Sequence, residues 1–351
     1  MLELSLYCTA KTPHLSMPLS GLRMLESQGK LRLSFVLDRE NRRGLPYAQL
    51  LEAEGGGRRI IFDLSDGYGS VEKRAQPWLA ERADVLFRRS FSTAETAKLP
   101  PALRGRVRPW GFHFHVSCPG NPMDQAASLG ERRGELFQRI FNGAPRSYFT
   151  LDKFERPPEW KREPSVLFYT RLWHVPEGDE LSEQVAALNR SRLELVAELK
   201  RRYGQRFTGG VQFDPRAVRR YGGLMSGIAA TSRRRYLETM HRADICVGST
   251  GLHGSIGWKT AEYLAASKAV VNEALQFEVP GPFQAGVNYL PFTDAESCLA
   301  QVERLMADPD RTYAMAQANQ AYYQSWGRPD RVMANALAQV FPEFEREVGS
   351  G

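Results

Sequence analysis

The chain is short of cysteine. Cys8, Cys118, Cys246 and Cys298 are the four in 351 residues, too far apart to form a CxxC pair or a zinc-ligand spacing, so a structural metal and a disulfide framework are not expected. A reducing cytoplasm is the expected compartment. No apolar run approaches the length of a membrane span. The first residues lack a charged segment followed by an apolar core, so no secretory signal is expected. There is no internal repeat and no low-complexity tract. Aromatic residues are scarce beside the arginines, which argues against a base-stacking surface and against nucleic acid as a partner. The 47 basic residues outnumber the 40 acidic ones, for a net charge of +7, but the two signs are interleaved. That balance favours anionic ligands or an acidic membrane surface. With 42% hydrophobic and 25% charged residues, the chain has the composition of a globular protein. Its length suffices for two domains.

One stretch organises the rest. From His241 to Glu273 the chain reads as strand, glycine-rich loop, helix and strand. Ala243 to Gly248 is short, apolar and β-branched at Ile245 and Val247, as in a buried strand. Gly248 to Gly257 holds four glycines, and no helix is expected to run through it. From Trp258 the apolar positions Trp258, Ala261, Leu264 and Ala265 fall on one helical face. Ala269 to Asn272 returns as a strand. Such a unit builds an anion site: a bare backbone loop faces unpaired N–H groups and a partial positive charge at the helix start. Gly254, Ser255 and Gly257 form the turn. Lys259, in the first helical turn, is poorly placed for the helix dipole, which suggests another reason for a cation there. Glu262 follows one turn later on the same side, so both can face one ligand. The plainer reading is an ordinary βαβ unit with a surface Lys–Glu pair.

In the first half, residues 2 to 9 read as a strand, Ser20 to Gln28 as a helix, Leu31 to Leu37 as a strand, Tyr47 to Ala53 as a short helix stopped by three glycines, and Arg59 to Leu64 as a strand. That last strand delivers Asp63 and Asp66 at its C-terminal end, where ligands of open α/β sheets sit. They suit chemistry or, equally, the shaping of an Asp-Gly turn. His14 lies in the loop after the first strand. A passage from Arg82 to Leu86 ends in Phe87-Arg88-Arg89-Ser90, and Arg106 to His115 is the last strand and loop. His113 and His115 have period-two spacing. Two readings stand, structural histidines or contacts to a ligand in a cleft; no third metal ligand is suggested.

Gly130 to Phe141 reads as a helix, and Pro157, Pro158 and Pro164 break the chain, which puts a domain boundary near 150 to 163. Ser165 to Thr170 opens the second half as a strand with Arg171 at its end. Arg171 suits bidentate grip of a phosphate, or is a solvated loop arginine. Glu183 to Tyr203 reads as a packing helix. Arg206 to Phe213 reads as a strand interrupted by Gly209 and Gly210. Arg216 to Arg220 and Arg233 to Arg235 read as a solvated face or a contact for acidic lipid. Tyr236 to Arg242, Glu296 to Ala307, Pro309 to Gln324 and Asp330 to Phe341 read as helices.

The run Lys259, Glu262, Tyr263, Leu264, Ala265, Ala266, Val270, Val271, followed by Val279-Pro280-Gly281 and Gly286-Val287-Asn288-Tyr289-Leu290, resembles the donor-binding half of the group 1 glycosyltransferases. The resemblance covers roughly residues 165 to 330. The order Asp63-x-x-Asp66-Gly-Tyr, Phe-Arg-Arg-Ser and Pro-Trp-Gly-Phe is similar to the N-terminal half of some bacterial polysaccharide glycosyltransferases. The resemblance implies an α/β fold of two Rossmann-like domains facing across a cleft, the GT-B arrangement. Residues 1–150 would form the acceptor side, 164–326 the donor domain, and 327–351 a C-terminal helix crossing back to the first domain. It implies a nucleotide-sugar donor and a saccharide or lipid-linked acceptor. Arg171 and Lys259 would steady the diphosphate, and Glu262 would accept from the ribose hydroxyls. Asp66, then Asp63, then His14 are the choices for a base acting on the acceptor. No carboxylate cluster for a metal stands out, so metal independence and no cofactor are expected. Location would be cytoplasmic, with peripheral attachment to the inner face of the membrane consistent with the charge. Many retaining members carry a further glutamate upstream, and Gly254 stands at that place, which leaves the stereochemistry open. An epimerase or hydrolase on the same fold, and a non-catalytic subunit of a polysaccharide assembly complex, are the alternatives.

Overall fold

The computed structural model describes residues 1–124, 149–176, 178–342 and 344; the helix expected over Gly130 to Phe141 lies outside them. Two six-stranded sheets are present among the described residues. The first has the order β2-β1-β3-β4-β5-β6, from β1 (Leu2–Cys8), β2 (Leu31–Leu37), β3 (Leu50–Gly55), β4 (Arg58–Asp63), β5 (Val85–Arg88) and β6 (Val107–Pro109). All neighbours are parallel except β3, which runs antiparallel to β1 and β4. The second sheet is wholly parallel, in the order β12-β11-β10-β7-β8-β9. Its strands are β7 (Val166–Thr170), β8 (Phe207–Gln212), β9 (Met225–Ser226), β10 (Ile245–Gly248), β11 (Ala269–Glu273) and β12 (Leu290–Phe292). β7 and β10 are buried along their whole length, as central parallel strands covered on both faces must be.

β3 corrects the expected helix over Tyr47 to Ala53. Gly56 and Gly57 both take positive φ, 54° and 71°, which makes a tight two-residue hairpin turn and pairs β3 with β4. Leu-Leu-Glu-Ala-Glu lacks the strand alternation because Glu52 is completely buried, held by Arg82 at 2.8 Å, Arg59 at 3.1 Å and Arg43 at 3.3 Å. A buried carboxylate is tolerated only when it is paired in this way. The three glycines turn a hairpin where the sequence suggested a helix stop. β8 likewise runs unbroken through Gly209 and Gly210.

Helices α1 (Ser16–Ser27), α2 (Ser70–Arg82), α3 (Ser182–Tyr203), α4 (Arg233–Arg242), α5 (Trp258–Ala265), α6 (Ala295–Met306), α7 (Pro309–Tyr322) and α8 (Pro329–Ala338) cover the sheets. A π-helical turn at Tyr323–Gly327 bends the chain between α7 and α8, where Gly327 and Pro329 break the helical pattern. α8 packs against α1 of the first sheet's layer. Arg328 anchors the passage, bonding Glu155 at 2.9 Å and Asp330 at 2.8 Å. The C-terminal ends of β1, β4 and β5 on one side, and of β7 and β10 on the other, lead into loops that line one cleft, as expected for ligand sites of open α/β sheets.

Candidate functional site

The cleft encloses about 470 Å³. The first sheet's loops contribute His14, Asp66 and Arg89; the rest of the lining comes from the second sheet and its helices. Its charged lining consists of Arg89, Arg171, Arg192, Arg233 and Lys259 against Asp66 and Glu262, an excess of positive charge that suits an anionic ligand.

The β10–α5 loop forms one wall. Ser255, Gly257, Trp258 and Lys259 face the cleft. α5 begins at Trp258 after Gly257, which offers no side-chain cap; the Thr260 N–H bonds the Gly257 carbonyl at 3.0 Å, which leaves the N–H groups of Trp258 and Lys259 for a ligand. Gly254 does not line the cleft. Its φ is +70°, and a Cβ there would lie 2.1 Å from the Gln276 Oε1. Its place in the loop therefore requires a glycine.

Lys259 is partly buried and its Nζ donates to the Tyr169 carbonyl. Burial draws its pKa down to about 7; Arg192, Arg171 and Arg233 add repulsion, while Glu262 opposes the fall. Lys259 is thus divided between charged and neutral forms near neutral pH, and an incoming anion would favour the charged one. Glu262, 4% exposed, accepts from the Tyr236 hydroxyl at 2.6 Å and pairs with Arg233 Nη1 at 2.9 Å. Both of its oxygens are therefore engaged by protein groups.

Arg171 lies at the end of β7 with its guanidinium 4.3 Å from the Trp173 ring centre, and burial lowers its pKa. Arg192, on α3, is 6% exposed. It donates from Nη1 to the Arg171 carbonyl and from Nη2 to the Thr250 carbonyl, each at 2.9 Å, tying the β7 and β10 loops together. Its Nε has no partner among the described residues, and burial lowers its pKa to about 10.

On the first domain's side, Asp66 pairs with Arg89, whose Nη2 donates to the Ile256 carbonyl at 2.9 Å and so bridges the two sheets' loops. The His14 ring packs edge-on against Trp258 at 5.0 Å and parallel to His113 at 6.4 Å. Burial, then the charge of Arg89, lowers the His14 pKa, so it faces the cleft as a neutral imidazole. Asp63 is a correction to the expected set. It is fully buried, accepts from the Ser65 hydroxyl at 2.7 Å, and pairs with Arg88 at 3.1 Å. It shapes the turn that presents Asp66 and does not line the cleft. His113 is buried and His115 packs on Phe149 at 4.2 Å; among the described residues no group of three metal-ligating side chains occurs.

Arg89, Arg192 and Arg233 escaped the sequence reading. Arg192 left a legible signal: it lies on the helical stripe of Val185, Leu195, Val196 and Leu199, all buried, where an unpaired cation is out of place. Arg233 was hidden in a run of three arginines whose other two are exposed and paired with Glu238.

Residues 190–338 match the family described as Glycosyl transferase-like. No curated protein matches the chain. Among solved structures, sucrose-phosphate synthase from Thermosynechococcus elongatus is 15% identical over 93% of this chain and 72% of its own, with a TM-score of 0.43. WaaG, a glycosyltransferase involved in lipopolysaccharide biosynthesis, is 14% identical over 71% of this chain and 62% of its own, with a TM-score of 0.35. HepE from Anabaena, in complex with UDP, is 11% identical over 95% of this chain and 77% of its own, with a TM-score of 0.42. Residues 190–338 thus resemble the glycosyl transferase-like family, and the two α/β sheets face one cleft.

Proposed function

We propose that this glycosyl transferase-like protein moves a sugar from a nucleotide-sugar donor to a saccharide or lipid-linked acceptor. The observation that carries the reading is the convergence of Arg171, Arg192, Lys259 and the uncapped start of α5 on one cleft. The diphosphate sits among them. As the bond from the anomeric carbon to the diphosphate breaks, its electron pair leaves with the nucleotide, and these charges stabilise it. The acceptor hydroxyl forms the new bond to that carbon, and its proton passes to Asp66. Asp66 is the cleft carboxylate supplied by the first domain. The neutral His14 flanks the acceptor. Since cationic side chains meet the diphosphate charge, turnover is expected to persist in EDTA.

The test is thermal stability against UDP, GDP, dTDP, ADP and CMP and their sugars. A ligand that binds only the folded state raises the melting temperature. One nucleotide is expected to shift it clearly; no shift with any at saturation refutes the donor reading. Asp66→Asn is expected to keep that nucleotide shift while turnover falls by at least 100-fold, a loss within the usual range for a general base (about 10²–10⁴). Unchanged turnover removes Asp66 from the role.

The proposal extends to a membrane, reached through the donor domain. Among the described residues no helix is long and apolar enough to cross one. Phe213, Val218 and Ile228 are exposed in the same stretch of chain as the exposed Arg216, Arg219 and Arg220, between the cleft residues Gln212 and Thr231. Apolar side chains set among arginines suit an acidic lipid surface. Co-sedimentation with phosphatidylglycerol vesicles but not phosphatidylcholine vesicles is expected, and equal behaviour with both excludes this contact.

A further inference from the structure

Arg233 is held more rigidly than a solvated arginine. Its guanidinium carbon lies 4.7 Å from the Phe154 ring centre, 4.9 Å from that of Phe149 and 5.4 Å from that of Tyr236. Nη1 is fixed by Glu262 at 2.9 Å. The remaining edge of the group, Nε and Nη2, is buried and has no hydrogen-bond partner among the described residues, and the residue lines the cleft. These two nitrogens carry parallel N–H bonds on one side of a guanidinium, the geometry that matches two oxygens of a carboxylate or phosphoryl group. A buried fork left unmatched is costly. Glu262 cannot supply the match, because it already holds Nη1 and the Tyr236 hydroxyl. Nor does this fork belong with the cations on the other wall: Arg192 reaches Arg171 and Thr250, whereas the partners of Arg233 are Glu262 and the three rings.

We propose that the Nε–Nη2 edge of Arg233 binds an oxyanion of the donor side-on, either a carboxylate on the transferred sugar or a phosphoryl group. Glu262 is then a positioning residue that orients Arg233. The inference rests on the donor reading above.

The experiment is calorimetric titration of the intact protein and of Arg233→Lys and Arg233→Gln with two ligand series: UDP, UDP-glucose and UDP-glucuronate, and GDP, GDP-mannose and GDP-mannuronate. Lysine keeps a charge beside Glu262 but lacks the planar fork, so it serves if the glutamine variant does not fold. At least tenfold weaker binding is expected in Arg233→Lys. A loss confined to the hexuronate assigns the fork to a sugar carboxylate, and a loss shared by all three members of a series assigns it to a phosphoryl group. Binding within twofold of wild type for every ligand overturns the inference while leaving the donor reading intact. A wild-type protein that binds neither series, and whose melting temperature none of the five nucleotides or their sugars shifts, overturns both.

Discussion

Replacing Lys259 by Met is expected to abolish turnover and, at pH 6, to raise the melting temperature of the ligand-free protein. Burial holds the folded-state pKa of Lys259 near 7, against about 10.4 for an unfolded lysine. Between those values the unfolded chain binds more protons than the folded one, so the stability of the wild type rises with pH across that window. Below pH 7 the lysine is charged in both states, and the folded state bears the full cost of enclosing that charge. Methionine removes the cost. Its advantage is therefore largest at pH 6 and shrinks by pH 9, where folded wild type carries the lysine neutral. The lost bond to the Tyr169 carbonyl works against the gain at every pH and does not change this trend. Melting curves of both proteins from pH 6 to 9 measure it; a difference that is constant with pH refutes the depressed lysine. The same group makes donor affinity pH-dependent. A diphosphate binds the charged form, so affinity in the wild type falls as pH rises above 7, with proton uptake on binding at pH 8. A site that gains stability when its cation is removed is one whose cation serves a ligand.

Gly21→Ala is expected to destabilise the protein by about 3 kcal/mol, at the upper end for overpacking. A Cβ at Gly21 would lie 2.2 Å from the Pro329 carbonyl oxygen and 2.6 Å from Met333 Cγ. The first of these is backbone at the start of α8 and cannot swing aside, so the methyl must push α8 away from α1. Gly105→Ala is the control, since nothing lies within 4 Å of its Cβ position. Urea unfolding of both variants decides the matter: a Gly21→Ala protein as stable as Gly105→Ala would mean that α8 does not seat on α1.

Which parts were legible in the sequence follows from the range of the signals. The strand, loop and helix around Lys259 were readable because each rests on side-chain period or turn chemistry within a few residues. β10, α5 and β11 lie where Ile245, Val247, the glycines and the Trp258–Ala265 stripe put them. β3 was not readable. Its alternation is broken by Glu52, whose burial depends on Arg43, Arg59 and Arg82, the last of them thirty positions away.

The sequence alone determined that the chain is α/β, that a glycine-rich turn meets a helix start carrying Lys259, and that Arg171 follows the end of its strand. Only the tertiary structure decided which charges meet. It separated Asp63, spent on Arg88 and Ser65, from Asp66, which faces the cleft. It turned Glu262 toward Arg233 and Tyr236, and it drew Arg192 from a packing helix into the site. A carboxylate or guanidinium looks the same in sequence whether it is buried or exposed. Its role is set by the partner it finds when desolvation makes a partner necessary, and those partners come from distant parts of the chain.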